Sequence, residues 1–320
     1  MALLVEAPYD NLTDLRERAK AEIRKVVIGQ ERAVELLLVA ALARGHVLLE
    51  GPPGSAKTLL ARATAHMLGA SFKRIQFTPD TTPAELTGVN AIRAGEQIFF
   101  PGAVFTNVLL ADEINRTPPR TQAALLEAMQ ERQVTVEGKQ HRLPDPFLVI
   151  ATQNPIEYEG TYPLPEAQLD RFLAKIDVGY PGADDEAAIL RLRHEGVAPA
   201  TLDDVRAVTS ASELIEARSA VDATTVSDAI VNYIVTLVRR TRELPSVSLG
   251  ASPRGAVHLL AAAKASARLG GRDFVTPDDV VAVAPAVLRH RLQLRPEAEL
   301  ERYSADDAVA TAIAAVPVPR

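Results

Sequence analysis

The sequence predicts an α/β protein: a mainly parallel five-stranded sheet between helices, followed by a C-terminal domain made only of helices. Three observations lead to this fold class. Short apolar runs alternate with helical segments over the first 180 residues, a pattern typical of parallel sheets covered on both faces. A Gly/Pro-rich turn follows the first of these runs, at residues 51–58. Beyond residue 182 the chain is rich in Ala, with helical spacing and no clear strand.

Periodicity and breaker residues place the individual elements. The predicted core strands are 46–50, 71–77, 107–112, 147–153 and 175–178. Predicted helices before the turn at 179–182 are 12–24, 31–44, 57–68 and 119–131. Those after it are 184–194, 203–217, 225–242, 253–269, 277–288 and 305–315.

The same pattern divides the chain into segments. Residues 1–10 are expected to form a flexible tail, residues 11–180 a core of alternating strands and helices, and residues 183–320 the helical domain. Within the core, turn residues between short apolar runs predict two inserted hairpins, near 86–101 and 132–143. If the chain acts alone, both hairpins are best interpreted as surface decoration.

Composition restricts the class of protein. A chain of 320 residues is long enough for two domains with their own cores. The formal net charge is −6, so no overall positive field favours nucleic acid. The absence of Cys excludes disulfides and thiolate metal sites, and it is compatible with the cytoplasm. We expect no signal peptide, and no apolar run is long enough to span a bilayer.

The turn at 51–58 has the pattern of a phosphate-binding loop between a strand and a helix. Its members are Gly51, Pro52, Pro53, Gly54, Ser55, Ala56, Lys57 and Thr58. Lys57 is expected to reach the outer phosphates of a nucleotide, and the Thr58 hydroxyl to ligate Mg²⁺. Ala56 stands where Gly is usual; we expect right-handed helical dihedrals there at little cost. An ordinary strand–helix turn is the less favoured alternative.

Two carboxylates end the apolar strand at 107–112. Asp112 and Glu113 are expected at the carboxyl edge of the parallel sheet, where ligands bind in such folds. Asp112 would hold Mg²⁺, directly or through water, and Glu113 would polarise the water that attacks the γ-phosphate. The alternative is an acidic turn without function, which the preceding phosphate loop makes less probable than it would be alone.

Three further polar residues are candidates, each with a structural alternative. Asn154, after the strand at 147–153, could orient the attacking water, or it could simply form a turn before Pro. Arg171 could neutralise charge at the nucleotide of a neighbouring subunit, or it could pair locally with an acidic side chain. Arg254 starts a C-terminal helix; from its position alone, an exposed helical Arg is the better interpretation.

Over nearly its whole length the chain resembles the MoxR family of AAA+ ATPases. The most specific segments are 109–116 (LLADEINR), 125–132 (LLEAMQER), 151–155 (ATQNP) and 159–172 (EGTYPLPEAQLDRF). The resemblance implies a P-loop AAA+ core with a C-terminal helical lid, and it makes Ala at position 56 normal. It further implies that the hairpins point toward the pore of a ring.

The resemblance also implies roles for single residues. Asn154 resembles the first sensor, Arg171 the arginine finger that serves the adjacent subunit, and Arg254 the second sensor. ATP or ADP with Mg²⁺ is the implied cofactor, and Val27 and Ile28 resemble adenine contacts. Leu59, directly after the loop, completes the implied nucleotide-binding set.

For function, the resemblance implies a homo-oligomeric ring, usually a hexamer, that acts as a chaperone-like ATPase on client protein complexes. A partner with a von Willebrand factor A domain is expected. Two other hypotheses remain: a DNA-dependent motor, which the negative net charge disfavours, and a nucleotide-gated binding scaffold with little turnover, which the intact Glu113 disfavours.

Overall fold

The computed structural model describes residues 12–93, 96–154, 160–194 and 201–319. The tail predicted at residues 1–10 lies outside these ranges, as does the tip of the first predicted hairpin at 94–95.

Eleven strands occur in the described ranges. They are β1 (Val47–Glu50), β2 (Phe72–Gln76), β3 (Val89–Arg93), β4 (Glu96–Phe100), β5 (Val108–Asp112), β6 (Gln133–Val136), β7 (Lys139–Arg142), β8 (Leu148–Gln153), β9 (Ala174–Asp177), β10 (Val247–Leu249) and β11 (Gln293–Leu294).

Thirteen α-helices occur in the same part of the chain. They are α1 (Thr13–Arg24), α2 (Glu31–Leu42), α3 (Lys57–Met67), α4 (Pro83–Thr87), α5 (Pro119–Glu131), α6 (Glu166–Leu169), α7 (Ala183–His194), α8 (Ala211–Asp222), α9 (Asp228–Thr241), α10 (Pro253–Leu269), α11 (Pro277–Leu288), α12 (Pro296–Leu300) and α13 (Ala305–Ala315). None of these helices is long and apolar enough to cross a bilayer.

The predicted five-stranded parallel sheet is confirmed, with strand order β2-β5-β8-β1-β9. β5 is buried along its whole length, as a central parallel strand should be. Because the strands run in parallel, their polar last residues meet at one edge of the sheet. In the register, Gln76 lies beside Asp112, and Glu50 beside Gln153.

Alternate residues of the strands pack into two separate apolar cores, one on each face of the sheet. Leu49 and Leu110 face a core that α2, α3 and the C-terminal helices complete. Leu48 and Leu109 face the opposite core, which Leu125 and other residues of α5 complete. This alternation follows from the two-residue period of a strand. The C-terminal helices therefore share an apolar core with one face of the sheet.

The C-terminal region differs from the prediction in three places. The short helix α12 was not predicted, because five residues are too few to show helical periodicity. β10 and β11 form a small antiparallel ribbon, which was not predicted because strands of three and two residues carry no readable alternation. The helix predicted at 203–217 exists, but both of its predicted ends are wrong. A short 3₁₀ turn occupies Leu202–Asp204, and α8 begins only at Ala211, where the Ser210 side chain accepts a hydrogen bond from the Glu213 amide.

The chain forms two antiparallel hairpins, β3–β4 and β6–β7, which contact each other. Asn90 and Gln97 of the first hairpin both donate to the Glu137 carboxylate of the second, across 2.9 and 2.7 Å. Phe99 stacks on His141 with ring centroids 3.8 Å apart. Contacts of both polar and aromatic character thus join the hairpins into one unit.

Candidate functional site

The loop between β1 and α3 forms a wall of a cavity of about 470 Å³ at the carboxyl edge of the sheet. Gly51 starts the loop against the end of β9. A Cβ atom at this position would lie 2.1 Å from the Val178 carbonyl oxygen, so a larger residue would push the loop away. The loop then turns through Gly54 at a φ of 80°, a conformation that favours glycine.

Ala56 corrects one expectation from the sequence. Its φ of 65° and ψ of 19° lie in the left-handed region, not in the right-handed one that we predicted. An L-residue in this conformation costs roughly 1–2 kcal/mol. This conformation lets the chain turn sharply into α3. The Ala56 carbonyl then accepts the first hydrogen bond of the helix, from the Leu60 amide.

Lys57 reaches across the loop that precedes it. Its Nζ atom donates to the carbonyl oxygens of Gly51 and Pro52 across 2.6 and 2.8 Å. The ammonium group therefore lies at the cavity wall beside the N-terminus of α3, where the helix dipole adds positive potential. A phosphate group in the cavity would meet both sources of positive charge.

Asp112 is surrounded by hydrogen-bond donors, with only 8% of its side chain exposed. Thr152 donates to Oδ1 across 2.6 Å, while Thr58 and Arg74 donate to Oδ2 across 3.2 and 2.9 Å. The Thr58 hydroxyl and the Asp112 carboxylate thus present oxygen atoms side by side, and Mg²⁺ prefers such ligands. These two oxygen ligands fit the Mg²⁺ ion that the sequence predicts.

Glu113 follows in a left-handed conformation, with a φ of 60°. Its backbone amide donates to the Thr152 hydroxyl across 2.9 Å. Its Oε2 atom accepts from Gln76 at 2.6 Å and pairs with Arg116 at 3.1 Å. The carboxylate is therefore oriented from two sides at the cavity wall.

Asn154 is buried and lines the same cavity. The structure thus brings five of the seven predicted catalytic and metal-binding residues together around one space: Lys57, Thr58, Asp112, Glu113 and Asn154. They come from three elements, because the start of α3, which carries Lys57 and Thr58, lies beside the carboxyl ends of β5 and β8.

Arg171 and Arg254 lie elsewhere. Both line a second cavity, of about 210 Å³, and the residues of the phosphate loop, all of which the structure describes, contribute nothing to its wall. Arg44 and Arg132 also line it, so four guanidinium groups surround a small space. The second cavity is therefore suited to an anionic group.

Asp170 connects these arginines to the C-terminal region. Its carboxylate pairs with Arg254 at 3.4 Å and with Arg291 at 2.9 Å. Ser252 donates to both of its oxygen atoms, across 3.1 and 3.0 Å. The local ion pair that sequence reasoning considered for Arg171 and Asp170 is replaced by pairs between Asp170 and more distant arginines.

Two histidines at the second cavity remain uncharged at neutral pH. Burial lowers the pKa of His46 to about 3 and, together with the nearby Arg291 charge, lowers the pKa of His258 to about 4. The positive charge of this cavity at pH 7 therefore comes from its arginines.

The predicted adenine contacts lie apart from the cavity above the loop. Val27 is buried in the apolar core and Ile28 is half-buried, and the wall of that cavity includes neither, whereas it includes Leu59. The segment after Ile28 nevertheless contacts the turn that leads to the C-terminal region, because Gln30 donates to the Gly179 carbonyl across 3.0 Å.

Sequence reasoning missed four residues of the first cavity: Arg74, Gln76, Thr152 and Gln153. Each stands near the end of a predicted strand, which was the available signal. Their roles depend on which strands are neighbours, and strand order cannot be read from periodicity.

The fold and this site together define the class. A parallel sheet of order β2-β5-β8-β1-β9, a phosphate loop after β1 and a helical C-terminal region are the architecture of an AAA+ ATPase. Residues 46–174 match the family model for the ATPase family associated with various cellular activities (AAA), and residues 239–312 match the AAA lid domain.

Relatives specify the family within this class. Chaperone MoxR1 of Mycobacterium tuberculosis is 44% identical, over 95% of this chain and 82% of its own. Protein MoxR of Methylorubrum extorquens is 36% identical, over 96% of this chain and 97% of its own. The crystal structure of a candidate ATPase from Cytophaga hutchinsonii superposes with a TM-score of 0.86 at 39% identity, covering 95% of this chain and 96% of that one. The chain belongs to the MoxR family of AAA+ ATPases.

Proposed function

We propose that this protein hydrolyses ATP as a ring in which the neighbouring subunit completes each active site. One observation carries the proposal: Arg171 and Arg254 share a cavity to which the subunit's own phosphate loop, fully described, does not contribute. Arginines that face away from their own nucleotide site can instead neutralise charge at a neighbour's γ-phosphate. Both residues are thus assigned to act in trans.

Within one subunit, the loop amides, Lys57 and the N-terminus of α3 bind the phosphates. Thr58 and Asp112 would hold Mg²⁺, which supplies charge neutralisation at the phosphate oxygens when bound. Leu59 lines the cavity and is assigned to the nucleoside. The assignment of Val27 and Ile28 to the adenine, outside the cavity wall, rests on the resemblance to the family.

Hydrolysis needs one water molecule. Asn154 orients this water, Glu113 accepts its proton, and the water oxygen bonds to the γ-phosphorus as the bond to ADP breaks. The orientation of Glu113 by Gln76 and Arg116 supports this assignment, because a positioned base is more effective than a mobile one.

The biological role proposed is chaperone-like remodelling of partner protein complexes by a hexamer in the cytoplasm, with a von Willebrand factor A domain partner. The name of the relative Chaperone MoxR1 supports the chaperone part. In this proposal residues 11–180 form the core, residues 183–320 form the lid, and the joined hairpins lie at the ring pore.

The experiment that tests the shared site is ATP turnover per subunit against protein concentration, with Glu113→Gln as the control for contaminating activity. We expect turnover per subunit to rise with concentration and to vanish in Glu113→Gln. Sizing in the same buffers shows whether the rise follows assembly. Turnover that stays constant while sizing shows a monomer would overturn the proposal.

Arg171→Ala and Arg254→Ala extend the test. Each variant should bind a fluorescent ATP analogue normally and lose most of its turnover, since removal of a finger acts on the transition state. Tight ATP-dependent partner binding without turnover in the unmodified protein would favour the gated scaffold instead. Salt-sensitive stimulation by DNA would favour the motor.

A further inference from the structure

Arg291 binds the chain on both sides of Arg171. It ends the short 3₁₀ turn that follows α11, and only 1% of its side chain is exposed. Its Nε atom donates to Asp170 Oδ1 across 2.9 Å, and its Nη2 atom donates to the carbonyl oxygens of Asp170 and Phe172 across 3.1 and 2.6 Å. Its Nη1 atom donates to the Leu173 carbonyl across 3.3 Å. One lid side chain thus holds the backbone that carries Arg171.

Neighbouring lid residues support this contact. Gly255 in α10 leaves room for the Arg291 stem, because a Cβ atom there would lie 3.0 Å from Arg291 Cδ. His258 accepts from Arg291 Nη2 across 2.6 Å. Ser252, the N-cap of α10, donates to the Asp170 carboxylate. Two lid elements, α10 and the turn that carries Arg291, therefore converge on the residues on either side of Arg171.

General stability does not explain the choice of arginine here. Burying an ion pair carries a desolvation cost that often cancels its attraction, and apolar side chains of similar volume stabilise as well or better. Burial lowers the pKa of Arg291 only to about 10, so the side chain stays charged at neutral pH. What a planar guanidinium adds is the simultaneous binding of several oxygen atoms in fixed directions.

We propose that Arg291 is a positioning residue for Arg171. It fixes the backbone around Arg171 to the lid, so that the lid determines the position from which the Arg171 side chain reaches the neighbouring subunit's nucleotide. This inference rests on the proposed trans role of Arg171. It couples the lid of one subunit to the active site of the next.

Arg291→Lys tests this inference, because it keeps the charge and removes the fork. We expect turnover to fall about a hundredfold, the effect of a small misplacement of a catalytic group, while the affinity for a fluorescent ATP analogue is unchanged. Arg289→Lys is the matched control. Arg289 also joins lid and core, through Asp177, and it pairs with Asp306 within the lid, but it forms no hydrogen bond or ion pair with residues 170–173. The turnover of Arg289→Lys should stay within about twofold of that of the unmodified protein.

Mixed rings distinguish a misplaced finger from a damaged nucleotide site. Two variants are co-expressed with different tags and purified on both. A Glu113→Gln subunit cannot hydrolyse ATP at its own site but presents an intact Arg171 to its neighbour. An Arg171→Ala subunit keeps its own Glu113 but presents no arginine to its neighbour. Arg291→Lys should regain turnover with Glu113→Gln and should not regain it with Arg171→Ala.

Each other outcome has a separate meaning. Recovery with Arg171→Ala but not with Glu113→Gln would show that Arg291 serves its own subunit's site, and it would overturn the inference. The reference pair, Glu113→Gln with Arg171→Ala, tests the proposed function itself. If mixed rings of that pair are inactive, or if none can be purified, the trans site fails, whatever Arg291 does.

Gly255→Ala provides a second variant in case Arg291→Lys does not fold. It retains every functional group and presses a methyl group against the Arg291 stem. The same pattern is expected in mixed rings: recovery with Glu113→Gln only. Full turnover in a folded Gly255→Ala or Arg291→Lys protein would contradict the positioning role.

Discussion

Gln76 donates a hydrogen bond to the Glu113 carboxylate across 2.6 Å, although the two residues are 37 positions apart in the chain. The parallel pairing of β2 with β5 produces this contact, because it sets Gln76 beside Asp112 and the next residue is Glu113. Arg74 in turn donates to the Gln76 side-chain oxygen across 2.5 Å. The proposed catalytic base is thus held by the neighbouring strand as well as by its own.

Gln76→Ala should lower the turnover number about tenfold without changing nucleotide affinity, because the base loses one of the two groups that orient it. Steady-state ATP hydrolysis and equilibrium binding of a fluorescent analogue measure the two quantities. Gln153→Ala is the matched control, since Gln153 lies at the same sheet edge but donates to Glu50. Equal losses in both variants would contradict a specific role for Gln76.

Thr152→Val should raise the Mg²⁺ concentration needed for half-maximal turnover and destabilise the fold by about 1–3 kcal/mol. The substitution keeps the side-chain shape but removes the hydroxyl that bonds both Asp112 and the Glu113 amide. Magnesium titration of turnover and urea unfolding provide the measurements. Thr64→Val is the control, because the Thr64 hydroxyl bonds only within α3, to the Leu60 carbonyl. An unchanged magnesium requirement would show that Asp112 does not need the Thr152 hydroxyl to bind Mg²⁺.

Gly51→Ala should weaken nucleotide binding at least about tenfold and cost about 1–3 kcal/mol of stability, as other overpacked sites do. The new methyl group would meet the Val178 carbonyl at 2.1 Å, so the loop or the end of β9 must move. Isothermal titration with ADP and thermal unfolding test this. Gly179→Ala serves as the control, since open space surrounds that position. Normal ADP affinity in Gly51→Ala would refute the close-approach argument.

His46→Gln should make the free energy of unfolding fall less steeply as the pH is lowered. Burial lowers the pKa of His46 to about 3, and an unfolded histidine titrates near 6.5. Below about pH 6.5 the unfolded chain therefore binds a proton that the native state does not, and stability falls by about 1.4 kcal/mol per pH unit for this residue. The contribution is fully present above that pH.

Urea unfolding between pH 7.5 and 5.0 measures the slope. His46→Gln should reduce it by the stated amount, because glutamine can bond the Val149 amide and the Met129 carbonyl without titrating. The exposed His194 provides a control position for His→Gln. An unchanged slope in His46→Gln would mean that other groups govern acid unfolding; His258, whose pKa is lowered to about 4, would be tested next.

Much of the nucleotide site could be predicted from the sequence, because its parts are local. A strand, a loop and a helix that are adjacent in the chain form the cradle around Lys57, and an apolar strand ending in acids places Asp112 and Glu113 at the sheet edge. Alternating apolar runs likewise predicted the parallel sheet and its helices.

The remaining relationships depend on tertiary structure. The left-handed Ala56 follows from the path that the loop must take into α3, which residue type does not reveal. The contacts of Gln76 and Thr152 require the strand order, and the grouping of Arg171, Arg254 and Arg291 requires the docking of the lid on the core. Local patterns determine which segments form strands, helices and loops. Long-range packing decides which side chains meet, because those contacts join residues that no short-range preference links.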